Sequence, residues 1–258
     1  MNFAQTILLG AIAGFTIYLG LPVGRIKGLS DKARSFLSMV STGILLFLFL
    51  DIFVEIAEPI EEALGEGGFP EFSGLLAIFI VGFGVGLLAL IVFEQRFIRM
   101  RGNITQPLSP TRLALLIAIG IGLHNFSEGL AIGQSAGRGE IAFAAILLIG
   151  FGLHNATEGF GIVGPMMGKE RPTWGFLGLV GLIGGGPTFL GTMVGYHFVS
   201  TAMSVLFLSL AAGALIYIIG ELFQTNWRSA TKLPASWGLL SGFIFAYFTH
   251  LVLHSAGA

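Results

Sequence analysis

The chain is expected to be an all-α membrane protein of eight transmembrane helices, and three observations carry that expectation. Of its 258 residues, 54% are hydrophobic and only 10% are charged, with mean hydropathy +0.88. A soluble domain carries about 25% charged residues. The apolar residues fall in eight runs of the roughly 20 residues that a membrane span needs. Twelve of the thirteen Lys and Arg residues fall in alternate connections between those runs.

The runs, in order, cover residues 3–22, 35–57, 72–95, 113–134, 140–164, 174–197, 203–224 and 236–254, and form one domain over 1–258. The first, within MNFAQTILLGAIAGFTIYLGLP, has no basic stretch before it and basic residues after it. It is expected as a first span rather than a cleaved signal peptide. Span two carries Asp51 and Glu55 near its end. In span three, GFGVG (82–86) predicts close helix packing, and Glu94 beside Arg96 marks its water boundary. Spans four and five carry a repeated polar motif. In span six, GLVGLIGGGP (178–187) has consecutive glycines before Pro187 and predicts a distorted helix. Span seven ends near Glu221 and Gln224. His250 and His254 lie at the end of span eight and His197 at the end of span six, where exposed histidines are expected.

The basic residues orient the chain. Arg25, Lys27, Lys32 and Arg34 follow span one; Arg96, Arg99, Arg101 and Arg112 follow span three. Lys169 and Arg171 follow span five, Arg228 and Lys232 follow span seven, and only Arg138 lies on the opposite side. The positive-inside rule places these connections in the cytoplasm and both termini outside it, in a cell membrane. The acidic loop EPIEEALGEGGFPE (58–71) is then also outside.

The repeat is IGIGLHNFSEGLAI (119–132) and IGFGLHNATEGFGI (149–162), with nine of fourteen positions identical. In a helix, residues four apart share a face, so His124 points with Glu128 and His154 with Glu158. Asn125 and Asn155 each lie three residues before a glutamate. Gly129 and Gly159 follow the glutamates and permit close helix approach. The two helices are consecutive and antiparallel, so the copies can meet at similar depth in a pseudo-two-fold site. Each mid-membrane charge costs about 2.5–3.5 kcal/mol on insertion scales. A lone His or Asn there is ordinary helix-packing glue. Four ionisable groups and two asparagines in register instead predict a divalent cation site. Two imidazoles and two carboxylates suit Zn²⁺, with Fe²⁺, Mn²⁺, Co²⁺ and Cd²⁺ also compatible. Asn125, Asn155 and the glutamates offer a second, all-oxygen position. Asp51 and Glu55, one turn apart, read equally as an outer cation-collecting site and as the water boundary; Glu221 is a similar candidate at the inner end.

The absence of cysteine excludes disulfides and thiolate metal sites. No basic tail or aromatic-basic patch suggests nucleic acid. The alternative to a carrier is an intramembrane metal-dependent enzyme using the same His/Glu cluster. Against it, there is no HExxH motif and there are five histidines in all. A purely structural metal is a third alternative, and predicts loss of folding on chelation.

GLHNFSEGLAIG and GLHNATEGFGIVGP resemble the fourth- and fifth-span signatures of the ZIP (Zrt-, Irt-like) metal transporters. AAGALIYIIGELF (211–223) and LDIFVEIAE (50–58) resemble that family's seventh and second spans. The resemblance covers nearly the whole chain, and the paired HNxxEG is its specific part. It implies divalent-metal uptake into the cytoplasm, with the metal as substrate and no cofactor. It also implies a 3+2+3 arrangement, with spans four and five sandwiched between two pseudo-symmetric three-helix bundles, and a homodimer. His124, Glu128, His154 and Glu158 map to the first metal position; Asn125, Asn155 and Glu158 contribute to the second. Ser127 and Thr157 stand where many members have Pro before the glutamate. Gly186 stands where the sixth span usually brings a carboxylate to the second position. The pattern is closer to the prokaryotic branch.

Overall fold

The computed structural model describes residues 2–98, 108–139, 141–198, 200–226 and 232–255. Arg99, Arg101 and Arg228, counted above for orientation, lie outside the described residues, as does the side chain of His254. No strand occurs among the described residues. The helices are α1 (Phe3–Phe15), α2 (Ile17–Gly20), α3 (Asp31–Glu62), α4 (Phe69–Phe93), α5 (Pro110–Gly137), α6 (Ile141–Val163), α7 (Trp174–His197), α8 (Thr201–Asn226) and α9 (Lys232–Ser255). Helices α1 and α2 together form the first span. Among the described residues, six spans are long and apolar enough to cross a membrane. Helices α6 and α9, of 23 and 24 residues, occupy the remaining two expected runs.

Several helices begin before the apolar runs do. Ser30 caps α3, Ser109 caps α5 with Pro110 in the first turn, and Thr173 caps α7, each accepting from a backbone N–H inside the helix. Such caps satisfy the orphan amides of a helix start. For α3 and α5 the apolar run therefore starts after the helix does, at 35 and 113, whereas α7 begins with its run at Trp174. Helix α3 likewise runs on past residue 57 through Pro59 to Glu62, carrying part of the acidic loop in helical form. The expected distortion near Pro187 does not break α7, which is continuous from Trp174 to His197. The break falls in span one instead. There Thr16 separates α1 from α2, its hydroxyl donating to the Ala13 carbonyl, and a 3₁₀ turn follows from Leu21 to Arg25.

Helix α5 lies against α7 and α8, and α6 against α1, α2 and α3. Around this pair, α1 packs on α7, α3 on α8 and α9, and α4 on α8. The α5–α7 contact is the most extensive and brings backbone against backbone. A Cβ at Gly129 would lie 2.1 Å from the Thr188 carbonyl oxygen. On the other motif helix, a Cβ at Gly159 would lie 2.0 Å from the Ile17 carbonyl oxygen. The glycine after each motif glutamate thus seats its helix against a different outer span.

Candidate metal centre

The repeat brings its polar residues together as the helical spacing predicts. His124, Asn125, Glu128, His154, Asn155 and Glu158 are all buried. Within α5, His124 Nε2 lies 3.2 Å from Glu128 Oε1. Within α6, His154 Nε2 lies 3.6 Å from Glu158 Oε1. The two imidazole rings lie edge to face, with centroids 6.0 Å apart and planes at 60°. His124, Glu128 and His154 each offer one ligand atom within 4.8 Å of the others.

The asparagines cross-brace the pair. Asn125 Nδ2 of α5 donates to Glu158 Oε2 of α6 at 2.9 Å, and Asn155 Nδ2 of α6 donates to Glu128 Oε2 of α5 at 3.2 Å. Asn125 Nδ2 also lies 2.5 Å from Asn155 Oδ1 and 3.0 Å from the Gly184 carbonyl oxygen of α7. Asn155 Nδ2 further donates to the Phe151 carbonyl. One oxygen of each glutamate is therefore held by an amide on the opposite helix, and the other is turned toward an imidazole. Among the described residues, His154 Nε2 and Glu158 Oε1 have no hydrogen-bond partner, and neither does Asn125 Oδ1. A separation of 3.6 Å is too long for a hydrogen bond, and unpartnered buried polar atoms are costly. A cation coordinated by both atoms removes that cost.

Orienting a ligand's second oxygen is the work of an outer-sphere partner, and losing one costs 10–100-fold in metal affinity. Asn155→Ala is therefore expected to weaken zinc binding by about 10–100-fold without abolishing it, read by competition with a chelating dye. Complete loss of binding in this variant would make Asn155 a direct ligand.

The cluster lies at the floor of a cavity of about 300 Å³. Its walls include Asp51 and Glu55 from α3, Gln134 from α5, Ser204 from α8 and His250 from α9. Asp51, Glu55, Gln134 and His250 lie toward the C-terminal ends of their helices, and Ser204 toward the N-terminal end of α8. The chain direction puts all these ends on one face of the bundle, the face of the acidic loop. Asp51 and Glu55 are thus wall residues of a route to the cluster. Glu221 is not among the lining residues. It lies thirteen residues beyond Leu208, the deepest α8 residue of the cavity wall, or about 20 Å along the helix.

Three expectations are corrected. His250 is not a freely exposed histidine: its Nδ1 lies 3.1 Å from Asp51 Oδ1 and its ring packs against Phe47. His197 is exposed as expected. Glu94, at the end of its span, does not face water: it is 4% exposed, and the Tyr217 hydroxyl donates to it. At Gly186, a Cβ would meet only Leu182 of the same helix within 4 Å. That position faces away from α5 and α6, so a carboxylate there would not complete the cluster. What α7 brings to the cluster is the Gly184 carbonyl, a backbone group with no side-chain signal in the sequence.

No protein-family model matches the chain, and no curated protein matches its sequence.

Proposed function

We propose that the protein carries divalent transition-metal ions, Zn²⁺ foremost, across a cell membrane into the cytoplasm, binding them in transit between α5 and α6. The observation that carries this reading is a buried His/Glu/His ligand set at the floor of a cavity open at one end of a bundle of membrane-spanning length. A purely structural ion needs no route to water, whereas a transported one does. Mixed imidazole and carboxylate ligation suits zinc, and transport requires binding that also releases.

The helix neighbours support the 3+2+3 arrangement and the likeness to ZIP transporters. Exchange spans one, two and three with six, seven and eight, and four with five. The α5–α7 contact then becomes the contact of α6 with α1 and α2, and α5–α8 becomes α6–α3. Such internal repeats, with the substrate at their interface near the midplane, are a common transporter design. The cavity is the outward route, and Asp51 and Glu55 draw cations into it. At the opposite end, α6 closes against the first span: a Cβ at Gly20 would lie 2.3 Å from the Ala156 carbonyl oxygen. Inward release requires that seam to part, with Glu221 on the exit side.

The test is zinc uptake by proteoliposomes holding the purified protein and an internal fluorescent zinc dye. Saturable uptake above protein-free vesicles is expected. Zinc that binds the protein but never reaches the lumen would return the site to an enzymatic or structural role. Ligating carboxylates and imidazoles must both be deprotonated, so binding competes with protons. Zinc affinity is accordingly expected to weaken as pH falls from about 7.5 to about 5.5. A flat affinity over that interval would show that zinc binding displaces no proton from the cluster there.

A further inference from the structure

At the basic end of the bundle, two turns meet in a second pocket. One follows span one and contributes Ile26 and Lys27; the other lies between α6 and α7 and contributes Gly168, Lys169, Glu170 and Arg171. The turns are tied together. The Gly168 N–H donates to the Ile26 carbonyl, and Arg34 Nη1 donates to the Gly168 carbonyl. Gly168 has φ +69°, and a Cβ there would collide with Arg34 and Leu29, so a glycine is needed to close this seam. The cleft so formed holds about 260 Å³.

Its charge is one-sided. Lys27, Lys169 and Arg171 line it, and among the described residues their side chains make no hydrogen bond or ion pair. The one carboxylate among the lining residues, Glu170, already accepts from the Thr111 hydroxyl at the start of α5. Lys169 is exposed by area, yet protein surrounds its amino group closely. That partial burial, with the Arg34 charge nearby, lowers its pKa below the usual lysine range, and Glu170 offsets only part of the effect. The pocket thus carries three cations against one carboxylate.

Its depth relative to the lipid is marked by Trp174. This side chain is 63% exposed at the first residue of α7, and the Arg25 guanidinium stacks over its ring at 4.4 Å. Exposed tryptophan at the end of a spanning helix sits at headgroup level. Ile26, also exposed, is on the same rim.

We propose that this pocket binds the phosphate of an anionic phospholipid headgroup, in the leaflet at the basic end of the bundle. Basic pockets between spanning helices on the cytoplasmic side take such headgroups. Here three unpaired cations meet at a depth where lipid phosphate is the abundant oxyanion. The inference does not depend on the transport reading: it holds for any membrane protein with this surface.

The test is native mass spectrometry of the full chain in detergent, titrated separately with phosphatidylglycerol, phosphatidylcholine and inorganic phosphate. Wild type is expected to retain phosphatidylglycerol in preference to phosphatidylcholine. Each interfacial cation contributes roughly fivefold, so Lys27→Ala/Lys169→Ala/Arg171→Ala should weaken retention by on the order of a hundredfold. The charge-conserving Lys27→Arg/Lys169→Arg/Arg171→Lys should keep it, which separates loss of charge from loss of folding. Lys32→Ala/Lys232→Ala, on the same face outside the pocket, should bind as wild type does. Equal loss in that control would mean a diffuse surface charge and overturn the site. Undiminished binding in the triple alanine variant would do the same. Inorganic phosphate binding with no preference for phosphatidylglycerol would make the ligand a soluble oxyanion and overturn the lipid assignment.

Discussion

Glu158→Ala is expected to abolish saturable zinc uptake while leaving the protein folded. Glu158 has 0% exposure. Its Oε2 is fixed by Asn125, and its Oε1 faces the unpartnered Nε2 of His154. It is the carboxylate whose second oxygen has no partner among the described residues unless a cation is bound. Removing a buried carboxylate from an apolar interior does not threaten folding in itself, because the charge was costly to bury. The Asn125 amide keeps Asn155 and the Gly184 carbonyl as acceptors. Glu158→Gln sharpens the test. It preserves shape and the acceptor for Asn125 but loses the charge, so it should be as inactive as alanine. Uptake near wild type in Glu158→Gln would show that no carboxylate is needed at this point. Unchanged flux in both variants would place the pathway in other helices. Thermal melting in detergent supplies the folding control for both.

What the sequence made legible follows from the solvent. A bilayer demands about 20 apolar residues per span, so the apolar runs and their order could be read directly. The helix starts at the caps Ser30 and Ser109 could not, because they lie in polar turns that hydropathy ignores. The motif was legible because its periodicity is local: His124 and Glu128 share a helix face whatever else the chain does. Contacts between distant spans left no such trace. The Asp51–His250 pair joins residues 199 apart, and nothing in either local pattern specifies the partner. The donor role of the asparagine amides was also hidden. Asn offers both oxygen and N–H₂, and only the geometry shows the N–H₂ turned to the glutamates across the helix pair. Gly186 failed as a guide for a related reason. Its place before Pro187 was read from sequence, but which face of α7 it occupies depends on how that helix packs.

Gly129→Leu is expected to prevent the bundle from assembling, the largest stability effect anticipated for a single residue here. The atoms that a Cβ at 129 would strike belong to the backbone of α7: the Thr188 carbonyl oxygen at 2.1 Å and the Thr192 amide nitrogen at 2.9 Å. A flexible side chain could swing aside, but a helix backbone cannot. Relief requires α5 and α7 to separate along their whole contact, the most extensive among the described residues. Overpacking against movable side chains already costs about 1–3 kcal/mol, from a total stability of about 5–15 kcal/mol. Gly129→Ala should therefore lower the melting temperature measurably, and leucine should leave little monodisperse protein on gel filtration. Gly84 supplies the contrast. It lies within α4, and a Cβ there meets nothing within 4 Å. Alanine is favoured over glycine in a helix interior by about 1 kcal/mol, so Gly84→Ala should melt at or above wild type. If Gly129→Ala melted with wild type, the close approach of α5 to α7 would be wrong. The depth of Glu128 in the cluster would then lose its support, because Gly129 is what seats that turn of α5 against α7.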